Sequence, residues 1–321
     1  ICTEYQPSND FTYREAVNTI KSAYRSNKAS AGTAQFEREI LVDKTTRKEI
    51  EIDPATFDMD IAPRDVIYGA SVKNNAVNLW KYGYAKVSGI EVPKFDALWK
   101  SKKGENTLLS GIGNYGKSAL SKYIKLMRVL LYGEKFASFS PEDNPPEEYY
   151  NDFVEMLLGC NCTPFNFDGT PNLKQPPLHV LNNAYDFVSK HIFYLYPKEN
   201  EPNVDYILER FLELIIKEKI SGCGIDPWNQ VVHDYASFGK NVTKYLEHIL
   251  GRISRFAQTN DVYFEIVAHP TKLMKEANGN YPCPDIFDMN DGAMWNNKMD
   301  NILIYHRPVA QTDPQNPVCE F

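Results

Sequence analysis

From residue 104 onward, short apolar runs alternate with longer stretches whose apolar positions recur at helical spacing. Thr107–Ser110 is a short apolar strand and Lys117–Leu131 a helix; Lys135–Ser140 is the next strand, and Glu147–Leu158 is a helix entered through Pro145-Pro146. Strand Ile192–Tyr196, helix Val204–Lys217, strand Ile220–Ile225, helix Val242–Gln258, strand Val262–Ala268 and strand Asn301–His306 complete the run. Strands that alternate with helices predict an α/β domain built on a mostly parallel sheet with both faces covered. Ligands of such a sheet sit at the carboxyl ends of its strands.

The first 65 residues have a different texture. Thr12 and Glu15 have capping-box spacing, and Ala16, Ile20, Ala23 and Tyr24 follow on one helical face. Phe36–Val42 and Lys48–Ile52 predict two strands around a polar hairpin turn. Val66–Tyr82 predicts a helix stopped by Gly83. The expected organisation is an accessory or connecting segment over 1–65, a linker helix and lead-in over 66–103, and a catalytic domain over 104–321. Ile1 in place of a starting Met is expected of a piece of a longer protein.

Charge narrows the classes. Against 35 Lys+Arg stand 42 Asp+Glu, a net charge of −7. A globally basic surface for duplex DNA or an anionic membrane is excluded, whereas a local basic channel is not. No apolar run approaches the roughly 20 residues of a membrane span. Six cysteines are present, none in a CxxC pair, and Cys160-x-Cys162 is too tight for a usual zinc knuckle, so the thiols are expected to be reduced and to pack. His179, His191, His233, His248 and His306 show no metal spacing, and no zinc site is expected.

The sharpest chemical signal is Gly111-Ile112-Gly113-Asn114-Tyr115-Gly116-Lys117-Ser118, a match to G-x-x-x-x-G-K-[ST] between a strand and a helix. The glycines let backbone N–H groups turn inward around a phosphate, Lys117 neutralises the β/γ oxygens, and Ser118 offers a hydroxyl to Mg²⁺. Ala119 follows on the first turn of a helix whose N-terminus faces the anion. This predicts binding of ATP or another NTP with Mg²⁺. An Asp at a strand end is by itself more often a cap, but with a phosphate loop upstream Asp226 suits the Walker-B position, holding Mg²⁺ through water. Glu142, in Ser140-Pro141-Glu142, emerges at a strand end where a carboxylate can orient or deprotonate the attacking water. His269, in Ala268-His269-Pro270-Thr271-Lys272, follows an apolar strand and can reach a γ-phosphate.

These motifs, in this order and with Asp226-Pro227-Trp228-Asn229 and the Asp291–Asp300 segment, resemble the helicase domains of Twinkle and of phage primase-helicases, within the DnaB-like replicative helicases. The resemblance covers roughly 66–321. It implies a RecA-like core, a ring homo-hexamer, and 5′→3′ translocation on single-stranded DNA driven by NTP hydrolysis. It assigns Glu142 as the catalytic glutamate, Asp226 as the Walker-B aspartate and His269 as the γ-phosphate sensor. Asn297 stands where relatives often carry Gln, and Arg307 matches a position near the nucleotide base. Gly113 replaces a Pro common in relatives, which only loosens the turn. The family's basic K-x-R segment, source of an arginine finger in trans, is expected beyond Phe321. A primase or Toprim module is an expected partner in a longer chain, although residues 1–65 carry neither an acidic Toprim set nor a zinc module. Bacterial or phage-infected cytoplasm, mitochondrion and plastid all fit.

In such rings the loops after the Walker-B and sensor strands line the channel. Here they carry Lys240, with Lys244 opening the next helix, and Lys272 and Lys275. Lysines can follow a phosphate backbone without reading sequence. Two other functions compete: a recombinase-like RecA ATPase, and a nucleotide-dependent DNA-binding or loading platform that barely turns over.

Overall fold

The structure, a computed structural model, describes residues 40–42, 49–51, 66–83, 87, 89–166, 168–197, 202–271 and 273–321. The chain divides into two compact units, Ile1–Tyr84 and Ala85–Phe321. In the first, β1 (Ile40–Val42) pairs antiparallel with β2 (Glu49–Glu51), Ile40 opposite Glu51. Helix α1 (Gly69–Tyr82) starts later than the pattern predicts and ends as predicted, at Gly83, whose φ of 75° and bond to the Leu79 carbonyl close the last turn. The helix expected around Thr12–Tyr24 lies outside the described residues.

The second unit opens with α2 (Pro93–Leu98), a short helix with Pro at its first position, which sends Phe95 and the following Trp99 into the core. Then come β3 (Asn106–Ser110), α3 (Lys117–Tyr132), β4 (Phe136–Phe139), α4 (Pro146–Leu158), α5 (Leu178–Ser189), β5 (Ile192–Leu195) and α6 (Val204–Glu218). Strand β6 (Gly222–Ile225), α7 (Val242–Asn260), β7 (Tyr263–Ala268), α8 (Gly292–Lys298) and β8 (Asn301–Ile304) follow. The six strands β3–β8 form one all-parallel sheet in the order β5-β4-β6-β7-β3-β8. The predicted α/β architecture is the observed one.

Side-chain alternation divides the core between two faces. Leu108, Ala137, Phe139, Cys223, Ile225, Phe264 and Ile266 point to the face covered by α6, α7 and α8. Leu109, Phe136, Tyr263 and Val267 point to the face covered by α3, α4 and α5. On that second face β6 presents only Gly222 and Gly224. A Cβ on Gly222 would stand 2.7 Å from the Phe136 ring, and one on Gly224 would stand 3.1 Å from Lys125 Nζ. These glycines leave room for a bulky ring and a buried cation.

Three helices of the second unit were not predicted. Helices α2 and α8 have only six and seven residues, too few to show a period. Helix α5, entered from Pro177, was not predicted although it carries the period, with Leu181, Ala184, Tyr185 and Val188 on its inner face and Asn182, Asn183 and Asp186 exposed. Among the described residues no helix is long and apolar enough to cross a membrane.

Candidate functional site

Four strands deliver the candidate residues to one edge of the sheet. Ser110 ends β3, and residues 111–116 turn back into α3. Gly111 (φ 150°), Asn114 (φ 62°) and Gly116 (φ 103°) supply the positive φ angles of this turn. A Cβ on Gly111 would overlap the Tyr305 carbonyl oxygen, so only glycine lets the loop pass beneath β8. At Gly113 a Cβ would meet nothing among the described residues, in keeping with a position that tolerates exchange.

Lys117 is buried, and its ammonium bonds the Ile112 carbonyl at 2.8 Å, closing the loop on itself. Burial lowers its pKa to about 8, against the opposing pull of Asp226 and Glu142. Asp226 follows β6, and its N–H bonds the Phe139 carbonyl of β4 at 2.9 Å. Burial raises its pKa to about 6, while Lys125 and a hydrogen bond from Ser118 oppose the rise. Ser118 and Asp226 are therefore neighbours. An alcohol oxygen and a buried carboxylate are the hard oxygen donors that Mg²⁺ takes, and a cation there would relieve the burial of the Asp226 charge.

Glu142 stands across the loop, its carboxylate exposed and reached by Gln230 Nε2 at 3.3 Å. His269 follows β7; its Nδ1 is buried without a partner among the described residues, and burial, with the charge of Lys117, lowers its pKa. Gly113, Asn114, Gly116, Lys117, Ser118, Glu142 and His269 line one cleft of about 540 Å³. It can hold a chain of phosphates with a cation at one side, a carboxylate beyond its end and, beside it, an imidazole with one unpartnered nitrogen.

The remaining candidates lie outside this lining. Tyr115 turns inward, its buried ring centred 6.4 Å from that of His306. Ala119 is exposed on the first turn of α3, and Asn297 is exposed on α8. The Arg307 guanidinium bonds the carbonyls of Pro314 (2.7 Å) and Asn316 (2.8 Å), bracing the segment after β8. Lys240 and Lys244 are exposed after β6, whereas Lys275 bonds Gln311 Oε1 at 2.7 Å and lies over the Tyr281 ring. Lys272 lies outside the described residues.

Residues missed from sequence complete the site. Gln230 has no signal beyond its position after Asp226. Tyr305 packs its carbonyl against Gly111 and its hydroxyl 3.6 Å from where a Gly116 Cβ would stand. Lys125 and Ser121 of α3 both reach Glu265 Oε2 of β7 at 2.6 Å. That acid had a signal, a lone charge inside the apolar strand VYFEIV.

Comparisons with known proteins agree with the motifs. No family model matches the chain. Over 218 residues, 66% of its length, the chain is 28% identical to the Twinkle homolog protein, chloroplastic/mitochondrial, of Arabidopsis thaliana, and it spans 29% of that relative. A solved ATPase domain superposes with a TM-score of 0.59 at 13% identity, covering 77% of this chain and 86% of its own. A solved DnaB-like replicative helicase, studied with its interactions with primase, gives 0.55 at 14% identity, covering 79% and 60%. The chain thus has the fold of a DnaB-like helicase ATPase domain, and its similarity in sequence is to a Twinkle homolog.

Proposed function

We propose that the chain is the NTP-hydrolysing motor of a replicative DNA helicase, translocating 5′→3′ on single-stranded DNA as a ring, with six subunits expected. The carrying observation is that Lys117, Ser118, Glu142 and His269 share one cleft and that Asp226 joins it through Ser118. Bound Mg²⁺, held by Ser118 and Asp226, would supply charge neutralisation at the β/γ oxygens. The inward N–H groups of residues 111–117 bind and orient the triphosphate. Lys117 neutralises the charge that develops on the transferred group, and Glu142 orients the attacking water and accepts its proton. His269, with a free nitrogen beside the cleft and the loop 270–289 behind it, ties the presence of a γ-phosphate to the loops that meet DNA.

The reading is supported jointly by the motif order, the similarity to a Twinkle homolog and the fold. The test is strand displacement on a forked duplex with Mg²⁺ and NTP, with Lys117→Ala as control. Unwinding of a fork with a 5′ tail, lost in Lys117→Ala, is expected. Strand exchange without unwinding would make the chain a recombinase-like ATPase; DNA binding with neither would make it a loading platform.

A further inference from the structure

Glu142 has an exposed side chain held, among the described residues, by Gln230 at 3.3 Å, so packing does not fix its carboxylate. Its backbone is another matter. The next residue, Asp143, has both carboxylate oxygens engaged: Lys122 Nζ donates to one at 2.7 Å and Ser140 Oγ to the other at 2.6 Å. The Asp143 N–H donates to the Ser140 carbonyl at 3.0 Å, and the Asn144 N–H to the Glu142 carbonyl at 3.1 Å. From β5, the Tyr194 hydroxyl lies 2.8 Å from the Ser140 carbonyl and 2.7 Å from that of Asp143, on either side of Glu142.

The two anchors are joined behind the loop. Lys122 is buried on α3, five positions after Lys117, and also bonds Asp152 of α4 at 2.7 Å. Its ammonium lies 5.1 Å from the centre of the Tyr149 ring, which stacks on Tyr194 at 4.3 Å. The helix that carries the phosphate-binding lysine therefore also holds the loop that carries the carboxylate. A buried ammonium shared by two carboxylates and an aromatic face is a rigid anchor, because each alternative leaves a charge uncompensated.

We propose that Lys122, Asp143 and Tyr194 are positioning residues, a clamp that sets the distance of the Glu142 carboxylate from the phosphate loop. The proposal rests on the reading of Glu142 as the residue that activates water. A misplacement of about 1 Å in a reacting group can cost roughly 100-fold in rate. The clamp therefore acts on turnover and not on nucleotide affinity.

The experiment is steady-state NTP hydrolysis by the full chain, with kcat and KM separated, for Tyr194→Phe, Lys122→Met, Lys122→Arg, Asp152→Asn and Glu142→Gln. Thermal melting of each variant accompanies it. Tyr194→Phe keeps the stack on Tyr149 and removes only the hydroxyl, so it folds even where Lys122→Met does not. The expected result is a fall in kcat of about 10-fold or more in Tyr194→Phe and Lys122→Met with KM within about twofold of wild type. Lys122→Arg should recover part of kcat, and Asp152→Asn, which removes one of the lysine's two carboxylates and leaves its bond to Asp143, should lower kcat less than Lys122→Met does. If Glu142→Gln abolishes turnover while Tyr194→Phe and Lys122→Met run at the wild-type rate, the clamp is overturned alone. Equal losses in Asp152→Asn and Tyr194→Phe, tracking melting temperature, would make the cluster structural and overturn it too. If Glu142→Gln turns over normally, the reading of Glu142 falls and the clamp falls with it.

Discussion

At the scale of single residues, the cleft holds two ionisable groups pushed toward their neutral forms, Lys117 down to about 8 and Asp226 up to about 6. Both shifts arise from burial, and both oppose the charge state that a metal-bound triphosphate favours. Binding must therefore move protons. Near pH 6 Asp226 is partly protonated in the free protein, so Mg·NTP held as proposed should expel protons from it. Near pH 8 Lys117 is partly deprotonated, and the phosphates should draw protons onto it. Calorimetric titration in buffers of different ionisation enthalpy reads the exchange directly. Release near pH 6 that is smaller in Asp226→Asn, and uptake near pH 8, are expected; a release unchanged in Asp226→Asn would mean that Asp226 does not contact the ligand. Lys117 was legible because a phosphate loop needs its residues in a fixed local order, and Asp226 because it stands at a strand end downstream of that loop. The Lys122–Asp143 contact was not, since its partners stand 21 positions apart in elements whose facing only the folded sheet decides.

At the scale of elements, the helix after the phosphate loop is tied to the sheet by charge as well as by apolar packing. Lys125 on α3 and Glu265 on β7 pair at 2.6 Å, with side chains 4% and 3% exposed. Gly224, with no side chain of its own, leaves the pair its room: a Cβ there would stand 3.1 Å from the ammonium and 3.5 Å from the carboxylate. Removing one partner strands a charge in the core. Lys125→Met or Glu265→Leu should each cost about 3–5 kcal/mol of unfolding free energy, while the double variant should lie closer to wild type than either single. Urea unfolding of the four proteins closes the cycle, and a double variant that costs the sum of the singles would show that the pair does not act as a unit. Glu265 within an apolar strand announced that a partner exists; its identity, 140 positions away, came only with strand order. Strand order itself was not legible, because alternation of strands and helices specifies a parallel sheet and leaves the sequence of crossovers open. The two shortest helices were hidden for a simpler reason, too few turns to carry a period.

At the scale of the whole molecule, a chain of net charge −7 is proposed to run along a polyanion, so attraction has to be local. Lys240 lies exposed after β6 with a left-handed backbone (φ 60°), and Lys275 lies after β7, both on loops that leave the sheet at the end where the cleft of Lys117, Glu142 and His269 lies. Lys275 is engaged by Gln311 and the Tyr281 face, partners that an exposed lysine exchanges readily for a phosphate. If each lysine neutralises one phosphate, Lys240→Ala and Lys275→Ala should weaken binding to single strands of any sequence about equally. Each should also lessen the slope of log affinity against log salt by about 0.7 for every phosphate no longer neutralised. Gln311→Ala, which frees Lys275 without removing its charge, should leave the slope unchanged. The measurement is a salt titration of a fluorescent oligonucleotide with each variant, repeated on two sequences of different composition. A sequence-dependent loss would make these lysines readers of bases and not followers of the backbone, and unchanged slopes in both alanine variants would remove the two loops from the path of the DNA.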